Sequence, residues 1–194
     1  MREFITTNFE HVLCVLILIS RLGDIISTRL VTPKLKLEAN PIVRKLGWRF
    51  AIITLLLCLV PYWNTTGGII VLVPSLLVSA TNTSKIWFAR AYGEQEFAEL
   101  LKVLARKSKL SHALAGTIVS ALFFAMVGLL LLFLCPDPNA DWGYWIGIGV
   151  LTYAFIIASY GSLFFIKIFK TAKKEMQPLG ETMALSERRT DSKL

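Results

Sequence analysis

An all-α, polytopic membrane helix bundle is the fold class this chain predicts, and three observations carry the prediction. Hydrophobic residues make up 55% of the 194 residues, with a mean hydropathy of +0.60. They fall in five long blocks rather than in the short patterned runs of a soluble domain. Lys and Arg collect in alternate loops, as positive-inside topology requires. No Ser-, Gly- or Pro-rich linker divides the blocks, so residues 1–170 read as one five-helix transmembrane domain and residues 171–194 as a polar tail.

A hydrocarbon core of about 30 Å takes roughly 20 helical residues to cross. Blocks at about 9–31, 41–63, 67–89, 111–135 and 142–169 meet that length. The first contains Arg21 and Asp24, lacks a small-x-small cleavage site and is preceded by Arg2 alone as a basic residue, so it reads as a retained span rather than a signal peptide. Asn40-Pro41 opens the second, an N-cap followed by proline at the first helical position, where a missing N–H costs nothing. Inside the third, Pro74 removes an intrahelical hydrogen bond and predicts a kink or a freed carbonyl, a packing feature more often than a functional one. The fourth carries Gly116-x-x-x-Ser120 and Ala121-x-x-x-Ala125; the fifth carries Gly143-x-x-x-Gly147 and Ala154-x-x-x-Ala158. Small residues at this spacing let backbones approach. They predict either the fourth helix packed on the fifth or a homo- or hetero-oligomer seam through Gly143 and Gly147. Between the third and fourth spans, residues of about 94–108 read as an amphipathic helix with Phe97, Leu100, Leu101 and Leu104 as its apolar stripe and Glu99 paired with Lys102. It is expected on the inner membrane surface, over the mouth of the bundle.

Orientation follows from the basic residues. Lys34, Lys36, Arg44, Lys45 and Arg49 flank one loop, Lys85, Arg90, Lys102, Arg106, Lys107 and Lys109 the next but one, and Lys167, Lys170, Lys173, Lys174, Arg188, Arg189 and Lys193 the C-terminus. The loop from Pro61 to Thr66 is neutral and that from Pro136 to Asp141 acidic. An odd number of spans then puts the N-terminus outside and the C-terminus in the cytoplasm, in a cell membrane. The net charge of +8 and pI near 9.6 lie almost wholly on that inner face. They point to the bilayer and its anionic headgroups as partners, not to nucleic acid. Trp48, Trp63, Trp87, Trp142 and Trp145 fall near span ends, as interfacial belts do.

Other signals are weak. Cys14, Cys58 and Cys135 are widely spaced without a Cys-x-x-Cys, so neither a redox pair nor a zinc site is signalled. His11 and His112 fall at opposite faces and cannot share a metal. The sequons at Asn64 and Asn82 lie too near or inside a span to be used.

The informative residues are polar groups at membrane depth, where such groups are costly and by default mark a functional site. At 1.5 Å per residue, Asp24 stands roughly 22 Å from the outer end of the first helix and Asn82 about as far along the third, which runs the same way. Arg21, Asp24 and Thr28 share one face of the first helix; Ser75, Ser79 and Asn82 share one of the third, with Lys85 a turn deeper. Glu38 and Asn40 enter from the loop. Asp24, Thr28, Glu38, Asn40, Asn82 and Lys85 are therefore expected to converge in the cytoplasmic leaflet as a ligand-binding group, with Glu94 and Glu96 as weaker additions. A structural account competes for each: Arg21 neutralising Asp24, Asn40 as an N-cap, Glu38 pairing with Lys36, Arg44 or Lys45.

Asp24-Ile-Ile-Ser-Thr28 followed by Glu38-Ala-Asn-Pro41 resembles the pattern of a family of small prokaryotic multi-pass membrane proteins of unknown function, which carry Asp-x-x-x-Thr and then Glu-x-Asn-Pro. The likeness covers about the first third of the chain. It implies a prokaryotic cytoplasmic membrane and a joint role for these residues, without assigning a reaction. No P-loop, Gly-x-Ser-x-Gly elbow, His-Glu-x-x-His or Asp-x-x-Asp-Gly arrangement is present. The expectation is a small transport, sensing or assembly component binding a cation, proton or lipid headgroup. The alternative is a membrane-embedded enzyme acting on a lipid at the inner interface, with Asp24 and Glu38 as metal ligands or as acid and base.

Overall fold

A computed structural model of the chain describes residues 8–35, 37–38, 40–139 and 142–175. Among them the secondary structure is helical throughout, without a strand. The elements are α1 (Phe9–Val31), α2 (Pro41–Leu46), α3 (Trp48–Ile53), a 3-10 helix (Thr54–Tyr62), α4 (Thr65–Thr83), α5 (Ile86–Lys107), α6 (Leu110–Leu134) and α7 (Trp142–Glu175). Three of them, α4, α6 and α7, are long and apolar enough to cross a membrane. The 23-residue α1 has the length and carries Glu10, Arg21, Asp24 and Arg29 within it.

Several boundaries differ from the sequence expectation, each for a local reason. The second block is not one α-helix: Gly47, at φ 65° and ψ −155°, separates α2 from α3, and the chain continues as a 3-10 helix from Thr54. A 3-10 helix rises about 2.0 Å per residue, so Trp48–Tyr62, only 15 residues, extends about 27 Å. The third helix ends at Thr83, not near residue 89, because Ser84 and Lys85 turn the chain before α5. Helix α5 begins earlier than the amphipathic segment and is broken at Gly93, at φ 73° and ψ 161°, so that segment starts afresh from Glu94. Helix α7 continues past residue 169 to Glu175 and contains a π turn over Ile157–Gly161. The tail charges Glu181, Glu187, Arg188, Arg189 and Asp191, together with Lys36 and Asp141, lie outside the described residues.

Helix α4 is the centre of the bundle, packed against α1, the 3-10 helix and α7, with α6 on the far side of α7. It runs unbroken through the buried Pro74. Leu13 and Ile17 of α1 pack on Ile69 of α4 and carry Phe9, Cys58, Val73 and Trp145 around them. This apolar core occupies the first half of α1, and the polar residues begin where it ends. The small residues serve internal packing. A Cβ added at Gly128 would stand 3.0 Å from the Gly147 carbonyl, and one at Gly147 would stand 3.0 Å from that of Gly128. Gly143 packs against Cys135 at the same seam, and Gly149 of α7 against Val73 of α4. Helix α6 thus sits on α7 within one chain. Gly116, by contrast, faces open space. The outer surface of α6, with Leu122, Phe123, Met126, Val127, Leu130 and Phe133 exposed, is what a lipid-facing helix presents.

Candidate functional site

Parallel packing of α1 on α4 builds the polar site. Leu13 meets Gly68, Gly23 lies against Ser79, and the register carries Asp24 and Thr28 to Asn82. The Asn82 side-chain amide donates to Thr28 Oγ1 at 3.0 Å and to Asp24 Oδ1 at 3.4 Å. Arg21 Nη1 donates to Asp24 Oδ2 at 2.8 Å and, at 3.5 Å, to Ser75 Oγ; its Nη2 donates to Thr54 Oγ1 at 2.6 Å. Thr54 in turn donates to the Ala51 carbonyl. The side chains of Arg21 and Asp24 keep only 16% and 14% of their exposure. The pair is therefore neutralised and cross-braced by three elements, which is how charges are tolerated at such depth. Among the described residues, Arg21 Nε and Ser20 Oγ are buried there without a hydrogen-bond partner.

The other predicted residues stand at the loop end. Glu38 Oε1 accepts the Asn40 backbone N–H at 2.8 Å, and Asn40 Oδ1 accepts that of Ile42 at 2.9 Å, so Asn40 is the N-cap of α2. Lys85 lies in the turn after α4, and the Glu38 carboxylate acts electrostatically on both Lys85 and Lys167. Glu94 takes a position of its own. Its carboxylate accepts from Thr32 Oγ1 and, at 2.8 Å, from the Lys34 backbone N–H, while Thr32 Oγ1 accepts from the Leu37 N–H at 3.2 Å. It ties the start of the amphipathic segment to the loop after α1. Glu96 is exposed. Among the described residues, no three His, Cys, Asp or Glu side chains come together as a metal-ligand set.

Compared with protein-family models, with curated proteins and with solved structures, the chain matches none. The functional reading therefore rests on the residues themselves.

Side-chain hydrogen bonds join Asp24, Thr28 and Asn82; Glu38, Asn40 and Lys85 assemble around the loop between α1 and α2. Sequence reasoning missed Thr54 and Ser75 as partners of Arg21, although a hydroxyl in each apolar run was the available signal. It also missed Asn64, whose Oδ1 accepts from the Gly67 N–H at 3.0 Å and caps α4.

Beyond the loop, the amphipathic segment of α5 covers a cavity of about 210 Å³ lined by Leu37, Phe164, Ile168, Lys102 and Lys167. Lys102 bonds Glu175 at 2.6 Å and Glu99 at 2.9 Å, and Arg106 bonds Glu175 at 2.9 Å. These carboxylates, Glu175 first, hold the Lys102 ammonium above its ordinary pKa. The contacts dock α5 on the overhanging end of α7.

Proposed function

We infer that the chain is a five-span protein of a prokaryotic cell membrane, with its N-terminus outside and its C-terminus in the cytoplasm. In this reading it is a small transport, sensing or assembly component, and its polar network in the cytoplasmic leaflet binds a cation, a proton or a lipid headgroup. The observation that carries it is the hydrogen-bonded set of Asp24, Thr28 and Asn82, with Arg21, between two apolar helices. A bundle needs no such charges to fold in lipid, where packing and small residues suffice for association. Asp24 supplies the negative charge, Thr28 and Asn82 supply neutral oxygens, and Arg21 is the counter-ion that a bound cation or proton would compete with. Glu38 and Lys85 provide a second, loop-side pair facing the headgroup region. Alternation of direction supports five crossings: α1, α4 and α7 run one way and the 3-10 helix and α6 the other, as their paired residues require.

The test is reconstitution of the full chain in vesicles of neutral and anionic lipid, with proton, Na⁺ and K⁺ gradients imposed in turn and flux followed by dyes. Asp24→Asn is expected to abolish flux of one cation, and Glu38→Gln, which frees Lys85 and Lys167 of an opposing charge, to strengthen association with anionic lipid, at normal abundance in the membrane. Loss of the protein itself in both variants would leave a purely structural role for the network.

A further inference from the structure

Arg21 and Thr54 mark one point of the antiparallel seam between α1 and the 3-10 helix; His11 and Tyr62 mark another. His11 Nδ1 lies 2.8 Å from the Tyr62 hydroxyl and Arg21 Nη2 lies 2.6 Å from Thr54 Oγ1. Between these two cross-links, three residues on from His11 and four back from Tyr62, stand Cys14 and Cys58. The register brings the two cysteines to one level of the seam on facing elements, close enough for Cys14 to act electrostatically on both Cys58 and Tyr62. Both are free and half-buried, and Cys58 rests on the Leu13 and Ile17 core, so the seam is held in place around them. Tyr62, one turn on from Cys58, meets His11, and both of these residues are exposed.

We propose that Cys14 and Cys58 are a redox pair that closes to a disulfide and clips α1 to the 3-10 helix at the outer end of the bundle. The oxidant is a small or protein disulfide arriving from the outer face, the side on which disulfides persist; that side rests on the proposed orientation, while the pairing does not. Cys14, three residues from the exposed His11, loses its proton to water, and its thiolate attacks one sulfur of the oxidant. That disulfide breaks, and the leaving thiolate takes up a proton. Cys58 then gives up its proton and attacks the Cys14 sulfur, forming the intrachain bond and breaking the mixed disulfide, and the second half of the oxidant leaves as a thiolate that takes up that proton. Two protein thiols are oxidised and one external disulfide is reduced to two thiols.

Cys135, at the end of α6, is the built-in control. The full chain, purified in detergent, is treated with hydroxyethyl disulfide and then with a maleimide, and its mass is measured. The expected product is a monomer that, apart from the single adduct on Cys135, is lighter by two hydrogens, in which Cys14 and Cys58 no longer take maleimide and share one cross-linked peptide, with dithiothreitol restoring both. Cys58→Ser is expected to halt at a mixed disulfide on Cys14. If that variant does not fold, the cross-linked peptide of the unaltered chain decides alone. Maleimide on both Cys14 and Cys58 after oxidation, separate mixed disulfides on each, or a bond between two chains would overturn the pairing. None of these outcomes bears on the binding of a cation or lipid by the Asp24 network.

Discussion

Arg21 is the residue on which the polar half of the bundle turns. It ion-pairs with Asp24, reaches Thr54 of the 3-10 helix and touches Ser75 of α4. Removing one member of a buried pair leaves the other uncompensated, at a cost of about 3–5 kcal/mol, whereas replacing both by apolar groups is often neutral. Asp24→Leu alone is therefore expected to lower the thermal midpoint in detergent markedly, and Arg21→Met with Asp24→Leu to recover most of it. Recovery of stability without recovery of vesicle flux would assign the pair to function; equal instability in the single and double variants would refute this account of the pair. Asp24 and Asn82 were legible from the sequence because equal depth on parallel helices needs only a residue count. Thr54 was not, since its partnership depends on a change of coil that hydropathy does not encode.

Elements carry their own signals unevenly. Helix α6 follows its hydropathy to within a residue, from Leu110 to Leu134, because nothing in it competes with the helix. The second block failed as a single helix at Gly47, and the third stopped early at Ser84, where polar side chains bond back to the backbone instead of continuing the turn. Gly93 is the clearest case of a break set by one residue. Its φ of 73° with ψ of 161° is a region open essentially to glycine alone, and other residues there cost about 1–3 kcal/mol. A Cβ at Gly93 would meet nothing within 4 Å, so the cost of Gly93→Ala is conformational rather than steric. That variant is expected to straighten α5 and detach Glu94 from Thr32. Hydrogen exchange would show it as faster exchange of the Lys34 and Leu37 amides, and unchanged protection at both would refute it.

For the whole molecule, α4 at the centre explains why the two polar groupings and the apolar core share one bundle without a separate domain. Helix packing was readable as small-residue spacing, but the sequence offered both an internal seam and an oligomer. The contacts of Gly128 with Gly147 and of Gly143 with Cys135 show the internal one in use. Topology is a prediction at this scale. A fluorescent protein fused after Leu194 is expected to fluoresce, as cytoplasmic fusions do, and an alkaline phosphatase fused there is expected to be inactive. The reverse pair of results would invert the orientation and with it the assignment of the inner leaflet.

On the proposed five-span reading, the 3-10 geometry of Thr54–Tyr62 ties the coil of one segment to the thickness of the surrounding bilayer. Rewound as an α-helix, these nine residues would shorten by about 4–5 Å. Trp63 would then be drawn away from its interface while Arg49 was held at the other, a mismatch relieved only by tilt or local thinning of the lipid. On that reading membrane thickness and local winding are mechanically linked in the element that also holds Thr54 against Arg21.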